Sequence, residues 1–419
     1  MQTKALEKLQ RFASERRGQI VLVIAILAIS FVVRLLLFRY HGYSIDTNDF
    51  KYWYNIAANS GLHSFYDSTW CDYPPFNIYI FWIFGNLAHA IGHLDFLIKL
   101  PQNLFDLATA YLIFRFVRSR YSFLPALGAM VIYTFNPAII FNLAVWGQFD
   151  SIYTFFMVAS LYAVMRSKYE LSGGLFGLAI LTKPQSVILL PVLAYVILKN
   201  GRWKRAISSG AVCIALVFLL VLPFHWSNPI SFLIDRYSGY SVYPYNSINA
   251  YNFWALHGFW KWDGGGEPPR IDMLSAPHSL LGLSYQMWGI IAFVILTAFV
   301  IWQLHRRYEQ KAAVFAVFLL MFGFFMLMTR MHERYLFPVF ALIAMSFFSR
   351  QLSVLYVGLT VTFLANLVYV LSKLKATAFI PDGHWSIYVL VPINALLFFY
   401  AIWSFWRIQR SKPATEVLK

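Results

Sequence analysis

The sequence predicts an all-α, polytopic membrane protein with about 12 transmembrane helices, in the range of roughly 11 to 13. Composition is the first reason: 59% of the 419 residues are hydrophobic and only 12% are charged, where soluble domains have about 25% charged residues. Apolar runs of membrane-spanning length recur along the chain, and 19% of the residues are aromatic, which suits interfacial belts. Lipid is therefore the expected solvent.

The first predicted span covers residues 19–39 and follows a basic N-terminal stretch, residues 1–18. It is long enough to cross a bilayer, and no small-residue cleavage site follows it. We therefore expect a retained span rather than a signal peptide.

Hydropathy places the later spans in order along the chain. They are predicted at residues 96–117, 122–143, 150–166, 205–225, 286–304, 312–329, 335–349, 352–372 and 386–405. Two shorter apolar pieces, 171–182 and 184–199, meet at Lys183-Pro184. Because proline breaks a helix, these pieces predict a discontinuous pair or a kinked hairpin. Irregular backbone at membrane depth must line a cavity or be buried in protein.

Basic residues predict the orientation. The net charge is +16, but these residues cluster at the ends of spans, where they set sidedness rather than bind nucleic acid. All clusters face the cytoplasm only if the apolar segment 74–92 does not cross, so we expect it to lie in the interface or to enter and return on the outer side. Both termini are then cytoplasmic, in the cell (plasma or inner) membrane, or in the endoplasmic reticulum membrane of a eukaryote. The clusters are Arg115/Arg118/Arg120, Arg166/Lys168, Lys199/Arg202/Lys204/Arg205, Arg306/Arg307/Lys311 and Arg407/Arg410/Lys412.

This orientation gathers the unusual polar residues on one face of the membrane. In the first outer segment, residues 40–73, Asp46 comes soon after the first span. A carboxylate near hydrocarbon is poorly solvated and takes up a proton more readily, which suits a general base acting on a hydroxyl. The alternative is that Asp46 or Asn48 caps a helix running through residues 50–59. Asp72 is either a substrate-binding acid or an acid at a helix start.

Three further outer-side positions carry polar groups at the edge of hydrocarbon. Gln148 and Asp150 lie in the turn 146–150 and either hold sugar hydroxyls or form a capped helix start, with Trp146 as an interfacial anchor. Lys183 lies in an apolar stretch beside the helix break. An intramembrane charge there indicates a lipid-phosphate site, and snorkelling to the interface is the alternative.

The turn 330–335 carries Arg330, His332, Glu333 and Arg334 between two apolar spans. Guanidinium groups and an imidazole suit a phosphate leaving group, and a plain charged turn is the alternative. In the long outer segment 225–284, amides alternate with aromatic residues in a pattern that suits sugar binding, although interfacial anchoring explains the tryptophans equally well. The residues of this pattern include Asn249, Asn252 and Trp254.

As a set, these residues resemble the GT-C glycosyltransferases, in the bacterial and archaeal branch related to GPI mannosyltransferase II. The resemblance covers about residues 19 to 350. Its motifs are Asp46-x-Asn48-x-Phe50-Lys51-x-Trp53, Gly61, Phe65-Tyr66, Asp72-Tyr73-Pro74-Pro75, Trp146-Gly147-Gln148-x-Asp150, Thr182-Lys183-Pro184, Asn249-Ala250-Tyr251-Asn252-x-Trp254 and His332-Glu333-Arg334-Tyr335.

The resemblance implies a GT-C fold with interfacial helices in the first outer loop, and a catalytic module over residues 1–350 that includes outer loops 40–73 and 225–284. Residues 351–419 would form C-terminal helices and a cytoplasmic tail. It also implies inverting transfer of a hexose, mannose first, from a polyprenyl-phosphate carrier to a glycan, glycolipid or protein acceptor. Asp46 matches the family's base, and the donor-phosphate role falls on His332 or Arg334. Some relatives use a divalent metal bound by paired acids, but Asp46 and Asp49 do not form an Asp-x-Asp pair, so we expect no cofactor and no metal requirement.

A transporter or flippase of a lipid-linked or anionic substrate is the rival class, because a broken helix beside an intramembrane charge suits one. Against it, the two halves show no repeat of hydropathy, and the candidate groups gather on one face rather than at the midplane.

Overall fold

The computed structural model describes residues 15–238, 243–266, 278–346 and 350–410. The predicted basic N-terminus falls largely outside these ranges, as does the predicted C-terminal tail beyond residue 410. The helices, in chain order, are α1 Arg16–Leu37, α2 Ser44–Ser68, α3 Pro75–Ile91, α4 Leu94–Arg118, α5 Phe123–Thr134, α6 Pro137–Ile140, α7 Asp150–Met165, α8 Tyr169–Thr182, α9 Leu190–Val221, α10 Pro229–Ser238, α11 Tyr285–Arg306, α12 Gln310–Leu327, α13 Val339–Ser346, α14 Arg350–Lys375 and α15 Trp385–Arg410. Short 3₁₀ segments at Pro184–Leu189, Phe253–His257 and Glu333–Leu336, a π-helical segment at Phe141–Trp146, and strands β1 Ser279–Leu280 and β2 Leu283–Ser284 complete the described structure.

The all-helical membrane architecture is confirmed. Within the described ranges, six helices are long and apolar enough to cross a membrane, or seven if α5 and the segment Pro137–Trp146 form one bent span. Shorter apolar helices, α7 and α8, lie between them. The figure of about 12 spans stays a prediction.

Proline and backbone strain set the breaks in the helices. The predicted span 122–143 is bent by 43° because α5 ends at Thr134 and Asn136 caps the start of α6, where its side chain accepts hydrogen bonds from the backbone amides of Ala138 and Ile139. The chain between 184 and 221 turns at Arg202, whose φ is 62°, so the predicted separation near residues 199–205 is present. The predicted span 335–349 is wrong as one helix, because the 3₁₀ turn Glu333–Leu336 occupies its start and α13 begins only at Val339.

Helices α2 and α3 pack against each other as a hairpin between the first span and α4. A Cβ at Gly85 of α3 would lie 2.3 Å from the Tyr54 carbonyl oxygen of α2, so glycine allows the close approach. One of the two forms predicted for residues 74–92, entry and return, is wrong, because α3 is a single unbroken helix. Near its start Asn77 donates to the Thr182 carbonyl, and beyond its end α4 begins beside the first outer segment through the Lys51–Asp95 ion pair.

Helix α12 is buried on all sides, and a buried ion pair connects the first span to the rest of the bundle. Residues around the whole circumference of α12 are buried, as expected for a helix that is apolar on every face. In α1, Arg34 forms a fully buried 2.6 Å ion pair with Asp106 of α4, and Tyr133 donates to the same carboxylate. Because an unpaired buried charge is costly, this pair fixes α1 against α4 and α5.

The bundle has two chemically different ends. Near the start of α4, the Lys99 ammonium donates to the carbonyls of Phe38 and Ala144, whereas the last turn of α4 carries Arg115 and Arg118. The 25 residues of α4 span about 37 Å. The predicted outer segments therefore meet at one end, and the basic clusters lie at the other.

Candidate active site

One cavity of about 460 Å³ opens at the end of the bundle where the outer segments meet. Ligand pockets fall in the range of about 300–1,000 Å³. Eight of the sequence-predicted site residues line it: Asp46, Asp72, Gln148, Asn249, Arg330, His332, Glu333 and Arg334. The structure thus brings together residues separated by almost 290 positions, counted from Asp46 to Arg334.

Asp46 lies in the first turn of α2, and its carboxylate is held by two neutral donors. Its Oδ2 accepts hydrogen bonds from Gln148 Nε2 at 2.7 Å and from the Trp146 indole at 3.0 Å. The capping alternative is wrong, because Tyr43 is the N-cap residue and no side chain caps α2. Among the described residues no cation pairs with Asp46, so its charge is oriented but not neutralised.

The backbone around Trp146 is fixed tightly. Gly147 adopts φ 89°, a conformation that favours glycine, and this turn follows the π-helical segment Phe141–Trp146. A Cβ at Gly42 would lie 2.1 Å from the Trp146 carbonyl oxygen, so the first outer segment packs directly on this turn. The expected interfacial anchor is wrong: Trp146 is buried and serves as a donor to Asp46.

Arg330 lies on the cavity wall, but its guanidinium is engaged elsewhere. It makes two hydrogen bonds to the buried Asp263 carboxylate, at 2.8 and 3.2 Å, and a third to the Gly265 carbonyl. Its φ of 63° is rare for a non-glycine residue. Arg330 therefore ties the long outer segment to the 330–335 turn, and its predicted phosphate role loses support.

Arg334 and Glu333 form the charged floor of the cavity. Arg334 donates to the Glu333 carboxylate at 3.1 Å, and its Nε has no hydrogen-bond partner within the described residues. Burial raises the pKa of Glu333, although the Arg334 charge opposes the shift. Arg334 also lines the cavity, and a guanidinium there suits an anionic group.

His332 is neutral rather than cationic in this setting. Burial lowers its pKa well below the ordinary 6.5, and the positive charges of Arg334 and Lys183 lower it further. The ring lies 5.1 Å from Tyr335 and 5.9 Å from Tyr243, between centroids. Burial thus favours the neutral, hydrogen-bonding form of the His332 ring, and its contact with a donor phosphate stays a prediction.

Asp72 also lines the cavity, in the segment between α2 and α3. It precedes Pro74, the N-cap residue of α3, which has no side-chain cap, so the helix-start alternative is wrong. Burial raises the pKa of Asp72, and the nearby Arg334 charge opposes the rise.

Lys183 and Asp150 form a buried ion pair instead of facing the cavity. The Lys183 ammonium lies 2.6 Å from Asp150 Oδ1, and Asn142 donates to Oδ2. Asp150 is also not a side-chain cap. The ammonium lies 5.5 Å from the centre of the Tyr335 ring. The predicted phosphate site at Lys183 and the sugar contact at Asp150 therefore lack access to the cavity.

Of the three residues predicted to bind sugar in the long outer segment, one lines the cavity and two hold the segment in place. Asn249 lines the cavity and accepts from the Trp260 indole at 3.1 Å. Asn252 caps the 3₁₀ segment Phe253–His257 and donates to the Met328 carbonyl. Trp254 donates to the Leu327 carbonyl. The predicted sugar contacts at Asn252 and Trp254 are wrong in geometry, because these side chains hold the loop on α12.

Sequence reasoning missed much of the wall. The side chains that line the cavity come together by packing between distant parts of the chain. The signal that could have found them was the alternation of aromatic and polar residues in the outer segments 40–73 and 225–284. The missed lining residues include Tyr43, Asp49, Trp70, Asp235, Arg236, Tyr243 and Trp260, whereas Trp53 and Tyr73 lie in the motifs of the family resemblance.

The donor set suits organic rather than metal ligands. Across the described residues, no group of three His, Cys, Asp or Glu side chains is placed to hold a metal ion. The absence of a metal requirement remains a prediction.

The described residues form a helical membrane bundle with a cavity of acids, arginine and aromatic rings at one end, so this is a polytopic membrane protein with a candidate ligand site. Comparison with family models specifies the family: residues 70–329, well over half of the chain, match Glycosyltransferase family 87, and the chain belongs to this family of GT-C-like membrane glycosyltransferases. A comparison with curated proteins gives no significant match. Asp46 and the 330–335 turn lie outside the matched range, so their roles are argued from geometry.

Proposed function

We propose that this membrane glycosyltransferase transfers a hexose, mannose first, from a polyprenyl-phosphate carrier to an acceptor hydroxyl, with inversion and with Asp46 as the general base. One observation carries the proposal: the Asp46 carboxylate, which pairs with no cation among the described residues, lines the same cavity as the Arg334 guanidinium. A base and an anion stabiliser are the two groups that such a displacement needs.

The reaction balances with these two groups. Asp46 takes the proton of the acceptor hydroxyl as the oxygen forms a bond to the anomeric carbon. The bond from that carbon to the phosphate oxygen breaks, and its electron pair leaves with the phosphate. The products are the glycoside, the prenyl phosphate and protonated Asp46. The phosphate charge rises from −1 toward about −2, which is the change that Arg334 would stabilise.

The Trp146 and Gln148 bonds to Oδ2 orient the Asp46 carboxylate while leaving Oδ1 to face the hydroxyl. His332, as a neutral ring, would hold a sugar or phosphate oxygen. The acceptor is a glycan, a glycolipid or a protein, and the aromatic walls suit a sugar ring.

Asp46→Asn tests the base, since the amide keeps the shape and the hydrogen-bonding size of the side chain. We expect a fall in kcat of about 10²–10⁴-fold, with the thermal unfolding midpoint unchanged. Asp67→Asn is the matched control, because Asp67 is an exposed acid of the same helix. An Asp46→Asn enzyme that transferred sugar at the wild-type rate would remove Asp46 from the mechanism.

Liposomes containing the purified protein and polyprenyl-phosphate-hexose separate transfer from transport. Consumption of the lipid-linked sugar with formation of a glycoside supports the enzyme, and NMR of the product anomer tests inversion. Movement of intact substrate without chemistry would support the transporter instead. Equal rates with and without EDTA are expected, and loss of transfer in EDTA that Mg²⁺ or Mn²⁺ restores would contradict the metal-independent mechanism.

A further inference from the structure

The cations on the cavity wall differ in how their charge is balanced. Arg330 is paired with Asp263 and Arg334 with Glu333. Arg236 also lines the cavity, and within the described residues it forms no ion pair with a carboxylate. Its guanidinium carbon lies 4.8 Å from the centre of the Tyr66 ring. Within the described part of the chain, no direct ion pair therefore neutralises Arg236, although its chain neighbour Asp235 also lines the cavity.

Arg236 is also held in a defined place. The Tyr66 ring beneath it is fixed by a 2.7 Å hydrogen bond from its hydroxyl to the Tyr73 carbonyl. Phe232, one turn earlier on α10, packs against Tyr66 at 5.4 Å. A guanidinium stacked on an aromatic face keeps its N–H groups at the ring edge, where they can donate to an anion.

The opposite face of α10 is apolar and exposed. Ile230 and Ile234, four residues apart and so on one face, are 63% and 62% exposed, and the preceding Trp226 is 73% exposed. A short helix with a basic, aromatic inner face and an exposed isoleucine face is typical of an element at the membrane interface. The helix thus carries exposed apolar side chains on one face and the cavity-lining Arg236 on the other.

Arg236 and Asp46 line the cavity through different groups of neighbours. Arg236 lies over Tyr66 at the end of α10, whereas Asp46 is held by Trp146 and Gln148. A lipid-linked sugar that enters past α10 would present its phosphate to Arg236 and extend its sugar toward Asp46.

We propose that Arg236 binds the phosphate of the long-chain carrier lipid, with the hydrocarbon tail running along the Ile230 and Ile234 face of α10. The proposal rests on the proposed function, since it assigns the side from which that donor enters. Arg236 is a binding residue for the donor, distinct from Arg334 in the floor. The same guanidinium would hold the more highly charged prenyl phosphate that remains after transfer.

Binding of undecaprenyl phosphate to the full-length protein in nanodiscs tests the assignment without requiring catalysis. Arg236→Gln should weaken binding about 10-fold, the effect of losing one charge-assisted contact, and Arg236→Lys should restore part of it. Arg205→Gln is the matched control: Arg205 is an arginine paired with Glu170 far from the cavity, and its variant should bind as the wild type does.

Competitors identify the ligand chemistry. Inorganic phosphate and phosphatidylglycerol should displace undecaprenyl phosphate only at much higher concentration. Equal competition by phosphatidylglycerol would mean a general site for anionic lipids and would overturn the carrier assignment. Undiminished binding by Arg236→Gln would overturn the role of Arg236 and leave the proposed function standing. Absence of binding by the wild type would instead count against the proposed donor itself.

A second variant covers the case in which Arg236→Gln fails to fold. Ile234→Glu changes an exposed residue and should fold, but it places a carboxylate in the proposed path of the hydrocarbon tail. Weaker binding of undecaprenyl phosphate by Ile234→Glu supports the entry route along α10, and unchanged binding contradicts it.

Discussion

Three aspartates near the cavity show how partners decide the role of one side-chain type. Asp150 is neutralised by Lys183, and Asp263 by Arg330, so each serves to hold elements together. Asp46 accepts only neutral hydrogen bonds, from Trp146 and Gln148, and keeps its charge available. Only the third arrangement leaves a carboxylate able to accept a proton from a substrate.

Gln148→Leu should therefore reduce catalysis, because it removes the shorter of the two hydrogen bonds that orient Asp46. Hydrogen bonds to charged groups contribute about 1.5–3 kcal/mol, so kcat should fall roughly 10- to 100-fold with a smaller change in KM. Initial rates at saturating donor measure the effect. Asn86→Leu, which changes an exposed amide of α3, is the control, and a Gln148→Leu enzyme as fast as this control would contradict the orienting role.

His332 should make the folded protein sensitive to acid. Its pKa is lowered in the folded state by burial and by the charges of Arg334 and Lys183, so below about pH 6.5 the unfolded chain binds a proton that the folded chain does not. Stability then falls as pH falls, by up to about 1.4 kcal/mol per pH unit from this group. Thermal unfolding in detergent between pH 7 and 5 should show a smaller loss for His332→Gln than for the wild type.

His93→Gln is the matched control for this measurement, because His93 is exposed. It should lose stability in acid as much as the wild type does. The same acid sensitivity in His332→Gln as in the wild type would show that the buried ring does not control this pH dependence.

At the scale of elements, hydropathy predicts the positions of the helices better than the structure of the turns between them. The predicted first span, 19–39, corresponds to Arg16–Leu37, and the predicted span 286–304 to Tyr285–Arg306. The sequence could not show that residues 335–349 divide into a 3₁₀ turn and a short helix, because the turn is held by a bridge between Ile248 and His332. That contact joins segments more than 80 residues apart and leaves no local signal.

Proline predicts the break at Lys183-Pro184, but nothing local predicts the partner of Lys183. The structure pairs it with Asp150 at the start of α7, so the charge joins two helices rather than facing the cavity. The sequence shows that a charged residue, Lys183, lies in an apolar stretch. Its ion-pair partner depends on how α7 and α8 pack, which the sequence does not show. The same limit explains why the sequence suggests sugar contacts at Asn252 and Trp254, which instead hold the outer loop on α12.

Two roles for Lys183, a structural ion pair with Asp150 and a binding site for phosphate, predict different effects of substitution on stability and activity. Lys183→Met alone leaves Asp150 buried without its cation, and breaking such a pair costs about 3–5 kcal/mol. The double variant Lys183→Met/Asp150→Leu removes both charges and should recover most of that stability. If the pair only supports the 330–335 turn, the double variant also recovers much of the activity.

Thermal unfolding and initial rates of the three proteins distinguish the two roles. If the double variant recovers stability but not glycosyl transfer, Lys183 contacts the substrate. Lys168→Met, a change of an exposed lysine at the other end of α7, controls for loss of charge.

At the scale of the whole molecule, the two ends of the bundle have separate chemistry. Helix α4 connects the two ends: Lys99 lies near its start, at the end of the bundle where the outer segments meet, and Arg118 lies in its last turn, at the basic end. Charge alone predicts this separation from the sequence, and it follows that the predicted outer segments can meet only if residues 74–92 do not cross. Helix α3 is consistent with this path, since Asn77 contacts Thr182 near the cavity and α4 begins beside α2.

Labelling with a membrane-impermeant maleimide tests this topology in intact cells. In a background where Cys71 and Cys213 are replaced by alanine, single cysteines are introduced at the exposed positions Ser68, His93 and Ser122. Ser68 precedes α3, His93 follows it, and Ser122 follows α4. If α3 stays on the outer side, Ser68→Cys and His93→Cys are labelled in intact cells, whereas Ser122→Cys is labelled only after permeabilisation.

The His93 position decides between the two topologies, because a crossing α3 would move it to the inner side while leaving Ser68 outside. Labelling of Ser122→Cys after permeabilisation shows that the reagent reacts with an inner-side cysteine and that the protein is present. A His93→Cys protein that behaves like Ser122→Cys would place the start of α4 in the cytoplasm. The cavity could then not face the outer leaflet as one site, since Asp46 and the Lys99 end of α4 would lie on opposite sides of the bilayer.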